Sequence, residues 1–226
     1  SKYKYPKVGE KNSIVTVWIY DVSSGKNVKV TLGDLDEYYI PRLKWLPDSK
    51  KVCVFYLNRH QSELKLLLAD PHSGKSTLLF NESNKRYLEI TDDLTFIPEN
   101  KGFIWSSEHS GYNHLYLHDM KGSLVKALTS GNYDVTNFYG YDPVTQRIFY
   151  QAADESPLTR NLYSLEIKSG KPLRLNAVSG TNDAEFSPQF NYFSLHHSNI
   201  NDGDSYALYK SDGTYVKTLQ DNSDFL

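Results

Sequence analysis

The histidines are the residues of this sequence best suited to bind a metal ion. His114 and His118 lie four positions apart in one predicted strand, so their side chains share a face, and His109 precedes them in a hairpin. Alternate strand residues are poorly spaced to share one ion, and no carboxylate or cysteine completes a ligand set. His196 and His197 are adjacent and therefore face opposite ways. We expect packing and surface roles for these histidines and no bound metal.

Serine catalysis requires a nucleophile on a strained turn between a strand and a helix, with a base within hydrogen-bond reach. The nearest match is Ser179-Gly180-Thr181, which follows a predicted strand but lacks the leading glycine of such a turn. The single cysteine, Cys53, lies in the apolar run 52–57 with no activating histidine beside it. A buried strand position is expected for Cys53. The sequence therefore predicts no catalytic residue in this chain.

Residues 199–204 contain the acidic and amide side chains that bind calcium in oxygen-ligand loops. The segment lacks the glutamate that ends such a loop, and Asn, Asp and Gly are also the residues typical of hairpin turns. A hairpin turn is therefore expected here.

Polar turns that contain glycine recur at intervals of roughly 45–50 residues, the period of a four-stranded propeller blade. They are Ser24-Gly25, Ser73-Gly74, Lys121-Gly122, Ser169-Gly170 and Asp212-Gly213. The segments between them are short, rich in Val, Ile, Tyr, Phe and Thr, and bounded by turn residues, which indicates strands rather than helices. Residues 15–20 and 52–56 are apolar on both faces, which is typical of strands packed between neighbouring sheets.

These patterns predict an all-β fold, a β-propeller fragment with four four-stranded antiparallel blades that follow an N-terminal half-blade. We assign the half-blade to residues 11–33 and the blades to residues of about 38–81, 87–130, 133–177 and 181–220. Residues 1–226 would then form one partial propeller, an arc whose exposed strand edges favour self-association.

Composition and charge exclude several classes of partner. Hydrophobic residues make up 39% of the chain and charged residues 23%, as in an ordered globular protein. The formal net charge of -2 offers no basic surface for a nucleic acid or an anionic membrane. No apolar run is long enough to span a bilayer, and residues 1–10 lack the apolar core of a signal peptide.

Several motifs follow one another in an order that is characteristic of one family. They are Tyr5-Pro6-Lys7-Val8-Gly9, Trp45-Leu46-Pro47-Asp48, Leu57-Asn58-Arg59-His60-Gln61, Leu94-Thr95-Phe96-Ile97-Pro98, Phe103-Ile104-Trp105-Ser106-Ser107-Glu108, Gly111-Tyr112-Asn113-His114-Leu115-Tyr116-Leu117 and Val135-Thr136-Asn137-Phe138. Together they cover nearly the whole chain. The chain thereby resembles the N-terminal β-propeller domain of dipeptidyl peptidase IV, in the prolyl oligopeptidase clan of serine peptidases.

The resemblance implies a fragment of a serine exopeptidase that releases Xaa-Pro dipeptides from peptide N-termini. In that family the propeller caps an α/β-hydrolase domain in the same chain, restricts access to short or unfolded peptides and orients the substrate. The glutamates that hold the substrate's amino group precede the Tyr-Pro-Lys segment, which is found here at residues 5–7. The Gly-x-Ser-x-Gly elbow and its partners follow the propeller. We therefore expect both the anchor and the catalytic triad outside this chain, which alone would not hydrolyse peptides.

The resemblance also supplies two substrate-binding candidates, Glu89 and Tyr87. They lie in Arg86-Tyr87-Leu88-Glu89, a connection between predicted blades. In the related enzymes the matching connection approaches the active-site cavity and lines part of the extended substrate site. A solvated loop is the alternative.

Two other functions stay open at this stage. The chain is also compatible with the propeller of a prolyl tripeptidyl or acylaminoacyl peptidase, or with a protein-binding propeller that has no enzyme attached. The partners implied by the resemblance are peptide substrates, an α/β-hydrolase domain in cis and a second copy of the parent protein in a homodimer. We expect no cofactor, no nucleic acid and no membrane span. The family resemblance implies a periplasmic, secreted or cell-surface location.

Overall fold

The computed structural model describes residues 7–33, 37–201 and 203–222, and strands joined by short turns account for nearly all of their regular structure. Within these ranges the helical structure is limited to one 3-10 turn at Pro98–Asn100. None of the described residues belongs to a helix long and apolar enough to cross a membrane. The predicted all-β class is confirmed.

The chain divides into two compact units. The first comprises the described residues of 1–92, with 98–102 and 119–123, and the second comprises those of 93–97, 103–118 and 124–226. Both are built from antiparallel sheets that follow one another along the sequence.

The first unit contains a two-stranded hairpin and a five-stranded sheet. In the N-terminal hairpin, β1 (Trp18–Asp21) pairs with β2 (Lys26–Lys29). The strands of the first sheet are β3 (Tyr38–Tyr39), β4 (Leu43–Trp45), β5 (Val52–Asn58), β6 (Glu63–Ala69) and β7 (Ser76–Ser83).

The first sheet has five strands because the segment before β5 forms two short strands, β3 and β4. Both pieces pair with β5, Tyr39 opposite Leu57 and Leu43 opposite Val54. The three residues 40–42 therefore face only two residues of β5. Pro41 has no amide hydrogen to give to the ladder, and the resulting irregularity resembles a β-bulge.

Three four-stranded sheets make up most of the second unit. The second sheet contains β8 (Thr95–Ile97), β9 (Gly102–Ser107), β10 (His114–His118) and β11 (Leu124–Ala127). The third contains β12 (Val135–Asp142), β13 (Arg147–Ala152), β14 (Asn161–Glu166) and β15 (Pro172–Arg174). The fourth contains β16 (Thr181–Phe186), β17 (Tyr192–Asn199), β18 (Gly203–Lys210) and β19 (Tyr215–Gln220). In each sheet the strands pair in sequence order.

Apolar faces join successive sheets within each unit. Val17 and Val30 of the N-terminal hairpin region belong to one buried cluster with Val52 and Val54 of the first sheet. In the second unit, one buried cluster joins the second and third sheets and contains Ile104, Leu115, Val135 and Ile148. Another joins the third and fourth sheets and contains Phe149, Leu162, Phe193 and Leu195. Sheets that are covered on both faces therefore carry apolar residues at successive strand positions.

The two apolar runs noted in the sequence have different environments. All residues of β5 from Val52 to Leu57 are buried, as expected for a strand packed on both faces. In β1, Trp18 is 56% exposed and Tyr20 is 58% exposed, whereas Val17, which directly precedes the strand, is buried. The expectation that both faces of residues 15–20 are packed is therefore wrong for the described structure, because only the Val17 side meets the first sheet.

The recurring glycines occupy the turn before the last strand of the hairpin or sheet. Their φ angles are positive, and in four of them the position of a Cβ would approach the preceding hairpin or sheet. At Gly74 and Gly122 a Cβ would lie 2.1 Å from a backbone oxygen, that of Lys29 and of Leu79 respectively. Glycine is thus required twice over at these two positions, by its backbone angle and by the close approach.

Aspartates begin several of these turns and close them with hydrogen bonds. The Asp70 carboxylate accepts the backbone amide of Ser73 at 2.7 Å and its hydroxyl at 2.8 Å. The bonds to Ser73 lower the pKa of Asp70, because they stabilise the charged form. In the N-terminal hairpin the Ser23 hydroxyl and neighbouring amides lower the pKa of Asp21 to about 2.

Replacing Gly74 by alanine is expected to lower the free energy of unfolding by at least about 3 kcal/mol, since left-handed strain and a backbone clash act together. Gly25→Ala is the matched control, because its φ is also positive, at 69°, but its nearest neighbour is the Tyr20 hydroxyl at 3.9 Å. It should cost about 1–2 kcal/mol. Urea denaturation of both variants measures the difference, and equal losses would show that the approach to Lys29 contributes nothing.

Cys53 should be unreactive in the folded protein. Its side chain is buried in β5, and burial raises the pKa of the thiol to about 12, so the thiolate is scarce at neutral pH. Treatment with iodoacetamide at pH 8, followed by mass spectrometry of the Cys53 peptide, should find it unmodified in the native protein and alkylated after denaturation. Equal alkylation in both states would contradict the buried position.

Candidate functional site

His114 is a buried structural residue that fixes the turn after β11. Its Nδ1 lies 3.0 Å from the Thr129 hydroxyl oxygen and its Nε2 lies 3.1 Å from the carbonyl oxygen of Gly131. The carbonyl can only accept, so Nε2 carries the proton and Nδ1 accepts from Thr129. Both ring nitrogens are therefore used within the fold.

The other two histidines of this group have separate partners. The His118 ring stacks on Phe103 with centroids 5.2 Å apart, and Nδ1 of His109 lies 3.1 Å from the Ser107 hydroxyl oxygen. In the part of the chain that the structure describes, no three His, Cys, Asp or Glu side chains are grouped as a metal site would need.

His196 and His197 have different environments on β17. Nε2 of His196 lies 3.3 Å from a carboxylate oxygen of Asp204, and its ring stacks on Tyr206. Nδ1 of His197 lies 2.9 Å from the side-chain oxygen of Asn182. These contacts fit the packing and surface roles proposed for them.

Ser179 lies in the exposed connection from β15 to β16, and neither strand leads into a helix. Residues 199–201 and 203 form the turn between β17 and β18, in which the Asn201 amide donates to the Asn199 side chain at 2.8 Å. The hairpin predicted there is present; Asp202 lies outside the described residues.

The connection around Ser179 is fixed by a network of buried amides. Asn182 is fully buried, and its side-chain nitrogen donates to the carbonyl oxygens of Arg160 at 2.9 Å and Val178 at 3.2 Å. Asn176 also donates to the carbonyl oxygen of Val178, at 2.9 Å. The Gln151 side chain donates to the backbone oxygen of Asn182 at 2.6 Å. These polar groups satisfy one another inside the second unit.

Tyr87 and Glu89 lie together at a cavity of about 400 Å³ in the first unit. The rest of the lining combines an apolar wall with two polar side chains and contains Val15, Tyr39, Ile40, Pro41, Leu57, Gln61 and Ile90. Both candidates are exposed, Tyr87 by 48%. The structure therefore places the two sequence candidates in one site.

The intervening residue, Leu88, attaches this segment to the first sheet. Its side chain is buried, and its amide donates to the carbonyl oxygen of Gln61 at 2.8 Å. The Asn84 amide likewise donates to the carbonyl oxygen of Ser62, at 2.9 Å. Because Leu88 is held inward, its neighbours Tyr87 and Glu89 are left at the cavity.

The hairpin that accepts the Leu88 amide is closed by hydrogen bonds of its own. It joins β5 to β6, and Gln61 adopts a left-handed conformation with φ of 55°. The side-chain oxygen of Asn58 accepts the amides of Ser62 at 2.8 Å and Glu63 at 3.1 Å. Gln61 therefore contributes both a backbone acceptor for Leu88 and a side chain at the cavity.

Two arginines near the cavity are already paired. Nε of Arg59 lies 3.4 Å from a carboxylate oxygen of Glu37, and its guanidinium lies 5.8 Å from the centroid of the Tyr39 ring and donates to that hydroxyl. Arg42 donates to both carboxylate oxygens of Asp92. This hydrogen-bonded pair lowers the pKa of Asp92 and raises that of Arg42.

Sequence reasoning did not identify Val15, Tyr39 or Gln61 as part of the site. Gln61 belongs to one of the family motifs, but its neighbours in the sequence do not indicate that its turn binds the segment that contains Leu88. Val15 and Tyr39 come from parts of the chain that meet Tyr87 only after folding. The assembled cavity has an apolar wall, donors and acceptors at its rim, and one carboxylate, which suits it to bind a side chain.

Comparison with known proteins identifies the family of this chain. The family model of the dipeptidyl peptidase IV N-terminal region matches residues 1–202. The probable dipeptidyl peptidase 4 of Aspergillus flavus is 27% identical over 100% of this chain and 31% of that protein. The probable dipeptidyl-aminopeptidase B of Talaromyces marneffei is 30% identical over 82% of this chain and 23% of that protein.

A solved structure agrees with the sequence relatives. Porphyromonas gingivalis dipeptidyl peptidase 4 is 37% identical, with a TM-score of 0.91 over 98% of this chain and 31% of that one. The chain thus spans about a third or less of the length of these relatives. The predicted β-propeller class is confirmed, and the chain belongs to the family of the dipeptidyl peptidase IV N-terminal region.

Proposed function

We propose that this chain is the substrate-gating and substrate-orienting propeller part of a longer serine exopeptidase that releases Xaa-Pro dipeptides from peptide N-termini. The family match and the dipeptidyl peptidase names of the relatives support the enzyme class. The observation that carries the role of this chain is the cavity at which Tyr87 and Glu89 meet.

The cavity contributes binding rather than bond cleavage in this proposal. Ile40, Pro41 and Leu57 offer an apolar wall, while Gln61 and Glu89 offer hydrogen-bonding groups at the same site. A peptide side chain that leaves water for the wall gains about 25 cal/mol for each Å² of apolar surface buried. The polar groups then favour one orientation of the peptide.

The chemical step belongs to an α/β-hydrolase domain in the same protein, with Ser, His and Asp in their usual roles. The propeller would limit which peptides reach that domain and hold them in register with the nucleophile, which lowers the entropy cost of reaching the transition state. A homodimer of the complete protein and a periplasmic, secreted or cell-surface location are parts of the same proposal. Cell fractionation followed by activity assays tests the location.

Replacing Tyr87 by alanine in the complete protein should reduce kcat/KM on Xaa-Pro peptides by roughly fivefold to tenfold, because an aromatic contact of about 1–1.4 kcal/mol is lost. Tyr215→Ala is the matched control, since Tyr215 is 54% exposed on β19 in the other unit. Steady-state kinetics with mass spectrometry of the products gives both the rate and the size of the released fragment.

An unchanged kcat/KM in the Tyr87 variant would remove the cavity from the path of the substrate. Release of tripeptides would replace the dipeptidyl assignment with the tripeptidyl one. A complete protein without any peptidase activity would favour a protein-binding propeller.

A further inference from the structure

We infer that the Tyr87–Glu89 cavity selects peptides that carry a lysine or arginine side chain, whose positive charge pairs with the carboxylate of Glu89. The inference rests on the proposed function, in which peptides pass this cavity, and adds the class of side chain that the cavity prefers.

The balance of charge around the cavity is the first argument. Arg59 is paired with Glu37, and Arg42 is paired with Asp92, so each of these cations is neutralised by its own carboxylate. Among the lining residues that the structure describes, Glu89 carries the only charged side chain. The charge that the described lining presents to a ligand is therefore the negative charge of Glu89.

The position of Glu89 supports a role toward ligands. The segment is held to the first sheet through Leu88, whose buried side chain and amide make the attachment. No hydrogen bond or ion pair of the Glu89 carboxylate is found among the described residues. The carboxylate is thus available to a ligand without the loss of a bond inside the protein.

The shape of the lining matches a long cationic side chain. Lysine and arginine combine an apolar stem with a charged end, and such stems pack along apolar surface while the charge stays at a polar edge. Ile40, Pro41 and Leu57 provide the apolar surface, and Glu89 provides the polar edge. The exposed ring of Tyr87 also lies at the cavity, where it adds an aromatic face for a cation.

An acidic side chain is disfavoured by the same features. Its charge would meet Glu89 without a cation among the described lining residues, and its short stem would leave the apolar wall uncovered. A neutral side chain of the same length as lysine gains the wall contact alone. The expected order of preference at the cavity is therefore lysine or arginine, then norleucine, then glutamate.

The test is a positional scan on the complete protein. Pentapeptides with proline second carry lysine, norleucine, acetyl-lysine or glutamate at the first, third, fourth or fifth position, one at a time, and kcat/KM is measured for each. At one position lysine should exceed norleucine and acetyl-lysine by roughly twofold to fivefold, the range expected for a solvent-accessible ion pair. The preference should shrink in high salt, because the pair is screened.

The variant Glu89→Gln keeps the size of the side chain and removes its charge. It should abolish the preference for lysine at that position, so that the lysine and norleucine peptides give the same kcat/KM with this variant. Glu166→Gln is the matched control, a partly buried glutamate at the end of β14 in the other unit. This control should retain the full preference.

The outcomes separate the inference from the proposed function. If Glu89→Gln lowers kcat/KM equally for lysine and norleucine peptides, the cavity contacts substrate but the charge preference is refuted. If Glu89→Gln and Tyr87→Ala both match the parent protein with every peptide, the proposed role of the cavity is refuted with it. A lysine preference that persists in Glu89→Gln places its origin elsewhere and overturns the inference.

Discussion

The close approach of the Gly74 and Gly122 turns to the backbone of the preceding hairpin or sheet is the constraint on which the packing of the first unit depends. At Gly74 and Gly122 the approach leaves no room for a Cβ against the backbone oxygens of Lys29 and Leu79. The buried cluster of Val17, Val30 and Val52 forms under such an approach in the first unit. Packing and turn geometry therefore depend on the same few residues.

The ends of the strands that lie away from the glycine turns are not restricted by this close approach. In the first sheet, the turn that contains Gly74 joins β6 to β7, whereas the hairpin that contains Gln61 joins β5 to β6 at the other end of β6. The glycine end is used for contact with the N-terminal hairpin. The Gln61 end holds Leu88 and forms part of the cavity. The residues that pack against the N-terminal hairpin and the residues that line the cavity thus lie at opposite ends of one sheet, so loops can vary at one end without disturbing the other.

Strand positions and turns could be predicted because their signals are local. Glycine turns and short β-branched or aromatic runs indicate strands in the regions where β9, β10 and β13 are observed. The split of the first strand depends on how the residues around Pro41 face β5, and this register is not visible in a single segment. Burial of Asn161 and Asn182 was also not predicted, since amides in a strand are usually exposed unless other chain segments supply partners. The family resemblance pointed to Tyr87 and Glu89, but the residues that form the wall of the cavity come from distant parts of the sequence.

The connection from β7 to β8 is a better candidate site than the connection from β15 to β16, because the two are held in place by different groups. In the connection from β15 to β16, the side chains of Asn176 and Asn182 donate hydrogen bonds to backbone carbonyls, so these polar groups hold the connection itself. The connection from β7 to β8 is instead attached to the first sheet by backbone amides and by the buried side chain of Leu88. The side chains on either side of Leu88, those of Tyr87 and Glu89, are exposed. A connection that is held by its backbone can present Tyr87 and Glu89 to a ligand at little cost in stability.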